Sequence, residues 1–279
     1  MNVSKRLGGA IYVVPNLITS GNLLFGFLCI YRALQGEFVY ASYCIIFAAI
    51  CDILDGRVAR LTKGNSEFGV QYDSLCDLSS FGIAPALLAY LFSLQDLGRL
   101  GIMICFFFVA CGALRLARFN VQSAIGKASG DFTGLPIPMA ALTVATFVIA
   151  TKNADSSDSS NWFDMIFNYL GSSPVKMYVT LFLVVFSALM MVSSFRYRSH
   201  KTFHFRLLKP FKALVLAVII LIALFYAPGE FGFIFVTLYA LSALVDWMLG
   251  WKKPVADEEI FVPTPEEDED KSSKETENN

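Results

Sequence analysis

Asp52, Asp55, Asp73 and Asp77 are the residues whose type and spacing can do chemistry, in the frame Asp52-Ile-Leu-Asp55-Gly56-Arg57-Val58-Ala59-Arg60 followed by Gly69-Val-Gln-Tyr-Asp73-Ser-Leu-Cys-Asp77. On a helix, residues three or four apart share a face, so each pair presents its carboxylates side by side. Two acidic faces that converge repel each other unless a divalent cation lies between them, and hard carboxylate oxygens suit Mg²⁺ or Mn²⁺ rather than zinc. The pattern predicts a one- or two-metal site. Two metals about 4 Å apart form the usual clamp for displacement at phosphorus. Gly56 and Gly69 lie beside the acidic pairs, and Ala59 repeats the small-residue theme. Small residues so spaced either line a slot for a nucleotide or bring membrane helices together. Arg57, Arg60 and Lys63 either contact phosphates or simply flank a span; Arg60 is the candidate phosphate contact.

The elements that must position these groups are apolar helices. Of 279 residues 56% are hydrophobic and 16% charged, with 26 Phe, and the mean hydropathy is +0.57. Such values exclude an ordinary soluble domain and imply an integral membrane protein of the all-α class. Eight apolar stretches emerge, at 17–34, 38–54, 75–94, 102–116, 138–150, 177–192, 214–227 and 231–249. Several need flanking residues to reach the roughly 20 helical residues of a full span. No secretory signal peptide is expected, since the first stretch lacks a small-residue cleavage signature.

Cations set the expected orientation, because Lys and Arg accumulate on the cytoplasmic side of short loops. With the N-terminus inside, Lys5, Arg6, Arg57, Arg60, Lys63, Arg115, Arg118, Lys127, Lys252, Lys253 and the run from Arg196 to Lys212 fall inside, and only Arg32, Arg99, Lys152 and Lys176 outside. The four aspartates are thereby expected at the cytoplasmic face, toward a soluble substrate.

The net charge of −1 conceals two opposed regions. Residues 256–279 carry ten acids against Lys271 and Lys274, a net of −8, so the remainder is +7. With almost no apolar content, that tail is expected to be disordered and has no catalytic role. The basic run 196–212 either binds anionic headgroups or is an ordinary inside loop. His200 and His204 lie in it and are expected to be solvated, which leaves little material for histidine-based nucleophilic catalysis. The six cysteines show no paired metal-ligand spacing and are expected to be small apolar fillers. The segment 153–161, rich in Asp and Ser, is expected to be an outer loop.

A proton or ion pathway is the competing function for membrane aspartates. All four lie at one face, however, and the next acid expected within a helix is Asp246, whose neighbour Trp247 suggests an interfacial position; no relay crosses the bilayer.

The frame D-x2-D-G-x2-A-R-x8-G-x3-D-x3-D resembles the signature of the CDP-alcohol phosphotransferases. All eight specified positions are present, for which a chance match at a given start is below about 10⁻⁸. The resemblance covers the first six spans. Pro15-Asn16 through Thr19 to Gly21-Asn22, expected before the first helix, together with Tyr72 through Asp77 to Ala86, Ala113 to Asn120 and Phe132 to Pro138, is similar to the membrane-embedded branch of that family whose acceptor is serine, the CDP-diacylglycerol–serine O-phosphatidyltransferases. The resemblance implies that CDP-diacylglycerol and L-serine give phosphatidylserine and CMP. It implies that Asp52, Asp55 and Asp73 bind metal, two Mg²⁺ or Mn²⁺ ions per site, while Asp77 completes the second metal site and is the candidate general base. A carboxylate is a weak base for a hydroxyl, so the alcohol must be acidified nearby or lose its proton late. Gly56, Ala59 and Gly69 would border the cytidine, with Asn16 and Thr19 as further nucleotide-side residues.

Serine's carboxylate needs a cation, and Arg115 and Arg118, expected to end the fourth span, are the candidates, with Asn120 as a further polar contact. Cations that merely end a helix are the alternative. A homodimer among membrane lipids follows from the resemblance, and no nucleic-acid partner does. Residues 1–195 would form the catalytic core, 196–254 a basic loop with two additional spans, and 255–279 the tail. Another acceptor, such as glycerol 3-phosphate, an inositol phosphate or choline, would use the same chemistry. The phospholipase-D-like route to the same product requires His-x-Lys motifs, and neither His200 nor His204 begins one.

Overall fold

The computed structural model describes residues 3–62, 66–124, 132–156, 162–197 and 227–249. Eight helices account for nearly all of them: α1 (Val3–Leu34), α2 (Phe38–Thr62), α3 (Glu67–Leu97), α4 (Arg99–Ala124), α5 (Ile137–Ser156), α6 (Trp162–Gly171), α7 (Val175–Val192) and α8 (Pro228–Met248). All but α6, with its 10 residues, are long and apolar enough to cross a membrane. They match seven of the eight expected stretches, and the chain is an integral, multi-pass, all-α membrane protein. The expected span 214–227 lies outside the described residues, as do Lys63, Lys127, Arg198, His200, His204, the rest of the basic run and the acidic tail.

Helices extend well past the apolar stretches that announce them. Backbone groups at a membrane must be paired internally, so a helix continues through its polar end until a cap ends it. Thus α1 runs through Pro15, which places Asn16, Thr19 and Asn22 on a helix rather than before one. The second span continues eight residues past Leu54. Ser66 caps the third, accepting a hydrogen bond from the Gly69 N–H at 3.0 Å, nine residues before the expected stretch 75–94 begins. Arg115 and Arg118 do not end α4, which continues to Ala124. Within α3 the residues Leu78–Ile83 adopt a π-helical turn directly after Asp77, a local widening common at functional sites.

At the centre stands α5, in which every residue from Ala140 to Thr151 except Leu142 is buried. Around it α1, α2, α4, α7 and α8 bury small or aromatic side chains such as Cys29, Ala48, Phe108, Ala188 and Ala240. Their outward faces carry Phe27, Phe47, Phe106, Phe182 and Leu238, as expected where the solvent is lipid. The two-residue strands β1 (Phe132–Thr133) and β2 (Arg196–Tyr197) pair antiparallel. Gly134 turns the chain at a φ of +78°, where a side chain would meet the Met191 carbonyl and the Arg118 guanidinium. The Tyr197 hydroxyl donates to the Ala240 carbonyl at 3.0 Å, joining this clasp to α8. Burial, with the Tyr239 phenol beside it, pushes the Tyr197 hydroxyl well above the ordinary tyrosine range, so it stays a donor.

Candidate active site

The two aspartate pairs converge. Asp52 and Asp55 on α2 and Asp73 on α3 each offer a carboxylate oxygen, and the three oxygens lie within 4.8 Å of one another. Asp55 is 5% exposed and Asp77 7%. Asp55 Oδ2 and Asp73 Oδ1 are buried and have no hydrogen-bond partner among the described residues. Buried carboxylate oxygens left unpaired beside one another repel, and either take up protons or hold a cation between them. The set is all oxygen, which fits a hard divalent ion. Asp77 lies one turn after Asp73, outside the trio, and accepts a hydrogen bond from the Asn22 Nδ2 at 3.0 Å.

Parallel packing of α1 against α3 builds this side. Down the seam, Asn16 lies near Gly69, Ser20 and Tyr72 share a hydroxyl hydrogen bond of 2.8 Å, Asn22 holds Asp77, and the Ser80 hydroxyl donates to the Asn22 carbonyl at 3.0 Å. Thr19 hydrogen-bonds the Pro15 carbonyl and stands against Asp55. At Gly56 a side chain would meet nothing within 4 Å, so α2 offers open space beside Asp55. A side chain at Gly69 would instead meet Ser66 and Asn16. Ala59 is half-buried, and Arg57 and Arg60 are exposed on the last turns of α2.

On the other wall, α4 contributes Arg115, 8% exposed, whose guanidinium faces Asp77 and Asp52. Its Cζ lies 5.4 Å from the Phe119 ring centroid, one turn along. Arg115 Nε is buried with no hydrogen-bond partner among the described residues. Arg118 is differently engaged, since its guanidinium donates to the carbonyls of Met191 at 3.3 Å and Ser193 at 3.1 Å, closing the end of α7. Asn120 donates to the Ser74 hydroxyl at 2.9 Å, tying α4 to α3 one residue from Asp73. All three expected acceptor residues therefore lie on α4, but Arg118 and Asn120 have protein partners of their own.

The site residue that carried no assigned role in the sequence is Asn22. The available signal was a carboxamide three residues after Thr19, on the same face of an otherwise apolar span. Asp246 lies in the last turn of α8, buried, while its neighbour Trp247 is exposed. A further acid, Glu230, is buried in the first turn of the same helix, about four turns from Asp246.

The profile of the CDP-alcohol phosphatidyltransferase family matches residues 12–171. A Helicobacter pylori protein named CDP-diacylglycerol–serine O-phosphatidyltransferase is 34% identical over 238 residues, covering 85% of this chain and 92% of its own. A Methanothermobacter thermautotrophicus archaetidylserine synthase is 41% identical over 139 residues, 49% of this chain and 58% of its own. A Saccharomyces cerevisiae protein with the same name as the first is 44% identical over 120 residues, 39% and 42% of the two chains. With all four aspartates inside the matched segment, the chain belongs to the CDP-alcohol phosphatidyltransferase family.

Proposed function

We propose that this chain transfers the phosphatidyl group of CDP-diacylglycerol to the hydroxyl of L-serine, releasing CMP. The observation that carries the reading is the meeting of Asp52, Asp55 and Asp73 beside a separately held Asp77, with the buried Arg115 facing it. Relatives named for serine transfer support the acceptor.

In this reading the serine Oγ attacks the phosphorus that bears diacylglycerol, the bond from that phosphorus to the CMP oxygen breaks, and the hydroxyl proton passes to Asp77. Asp52, Asp55 and Asp73 would hold Mg²⁺ or Mn²⁺, two ions per site with Asp77 completing the second, which supply neutralisation of the diphosphate and of the departing CMP. The space at Gly56 receives the cytidine portion, with Ala59, Gly69, Asn16 and Thr19 along its border and Arg60 reaching a phosphate. Arg115 receives the serine carboxylate, while Arg118 and Asn120 hold that wall in place and lie close enough in sequence to add contacts of their own. The site opens to the cytoplasm, as the cation bias suggests. Residues 1–195 form the catalytic unit, 196–254 and the acidic tail are accessory, and the assembly is a homodimer.

The test is purified protein in liposomes with CDP-diacylglycerol, Mn²⁺ or Mg²⁺ and a panel of alcohols, with CMP release and lipid product both measured. Serine should give phosphatidylserine only when metal is present. Absence of metal-dependent CMP with every acceptor would sink the transferase reading, and product only with another alcohol would sink the serine assignment.

A further inference from the structure

Asn22 is fully buried in the middle of an apolar span, 55 residues from the carboxylate it touches. A carboxylate only accepts hydrogen bonds, so the end of the carboxamide facing Asp77 must be Nδ2, which fixes Oδ1 as the opposite end. Oδ1 is buried and has no hydrogen-bond partner among the described residues. A carboxamide that only fastened two helices would have both ends satisfied between them. Here one end is satisfied and the other is an open acceptor. Three other buried orphans, Asp55 Oδ2, Asp73 Oδ1 and Arg115 Nε, belong to the same site.

The placement of Asn22 is itself enforced. Gly26, one turn further along α1, lies so close to α3 that a side chain would come within 2.7 Å of the Ser80 backbone. That approach lets the Ser80 hydroxyl reach the Asn22 carbonyl. Asp77, directly before the π-turn that begins at Leu78, and Ser80 within it both reach Asn22.

We propose that Asn22 is a two-ended anchor on the acceptor side: Nδ2 holds Asp77 toward the acceptor hydroxyl and Oδ1 accepts a hydrogen bond from the acceptor's ammonium group. The proposal rests on the serine reading above and deepens it. Serine has two donors, its hydroxyl and its ammonium, on neighbouring carbons. If the hydroxyl engages Asp77, the ammonium is the donor left for an acceptor atom beside Asp77. Arg115, facing Asp77 from α4, then takes the carboxylate, so the three substituents of the amino acid meet three different residues.

The experiment compares Asn22→Ala and the isosteric Asn22→Asp with wild type, using L-serine and 3-hydroxypropionate, which lacks the ammonium. Asn22→Ala should raise the serine KM about tenfold or more, a charge-assisted bond being lost. It should also lower kcat with both acceptors by about 10–100-fold, as for other residues that orient a reacting group. The KM for 3-hydroxypropionate should not move, so discrimination between the acceptors collapses. Asn22→Asp keeps an acceptor for the ammonium but repels Asp77. Its serine KM should stay within about threefold of wild type while kcat falls about 10–100-fold. KM for CDP-diacylglycerol should be unchanged in both, and half-saturating Mn²⁺ should rise by less than the serine KM in Asn22→Ala, since Asn22 touches a metal-site carboxylate and not the ion. Should Asn22→Ala fail to bind CDP-diacylglycerol, the KM-against-kcat split of Asn22→Asp decides. Retained discrimination in Asn22→Ala, or a rise in half-saturating Mn²⁺ matching the serine KM, which would mark Asn22 as a metal ligand, overturns the proposal. If wild type uses only an acceptor without an ammonium, the serine reading and the Oδ1 role fall together, and an undiminished kcat with that acceptor overturns the Nδ2 role separately.

Discussion

The two walls of the site are built on opposite principles. On the α2–α3 side, the carboxylates are left with unpaired oxygens aimed at one another; on the α4 side, two of three polar residues are already hydrogen-bonded to distant parts of the chain. A wall poised for a ligand looks poorly satisfied without it, whereas a supporting wall looks complete. Arg115 is the exception on α4, with a buried unpaired Nε and two carboxylates in view. It resembles the facing wall more than its own neighbours.

Breaking the acidic wall should have the largest effect. Asp55→Asn or Asp73→Asn should lower kcat/KM by at least about 10³-fold, because charge neutralisation at phosphorus is lost, without reducing expression. Near-normal turnover in either variant would contradict the metal assignment. Next in size is Arg115→Ala, which should raise the serine KM about 10–100-fold while leaving the KM for CDP-diacylglycerol unchanged. Equal effects on both substrates would move Arg115 from the acceptor to the lipid side.

Arg118→Ala sharpens the contrast between neighbours. Losing two hydrogen bonds from a charged donor to the end of α7 should cost about 1–3 kcal/mol, seen as a lower melting temperature in detergent, with a serine KM within about threefold of wild type. A large KM effect without destabilisation would place Arg118 on the substrate instead. The smallest effect is expected from Asn120→Ala, which removes one neutral hydrogen bond worth about 1 kcal/mol and should slightly raise the serine KM through looser α3–α4 packing. Asp73 is one residue from Ser74, so a fall in Mn²⁺ affinity in this variant would show that the two walls are coupled.

Much of this arrangement was legible in the sequence, for specific physical reasons. Seven spans were visible because lipid demands apolar side chains over a fixed thickness. Helix ends were not, since hydropathy marks where the lipid stops and not where backbone pairing stops; Asp55 to Thr62 and Glu67 to Ser74 lie beyond the apolar stretches yet are helical. The aspartate pairs were legible because three- and four-residue spacing is a local property of one helix. The partners of Arg118 lie 73 and 75 residues away, and that of Asn120 46. No local pattern announces such contacts, so poised and supporting residues look alike until the chain is folded. Asn22 was hidden for the same reason, its partner being on another helix.

The central claim is that three membrane-embedded carboxylates form one cation site. Mn²⁺ titration of the purified protein followed by electron paramagnetic resonance measures that site without relying on turnover. Wild type should bind Mn²⁺, and Asp55→Asn and Asp73→Asn should each weaken binding by at least about tenfold. Equal Mn²⁺ affinity in wild type and both variants would contradict the account.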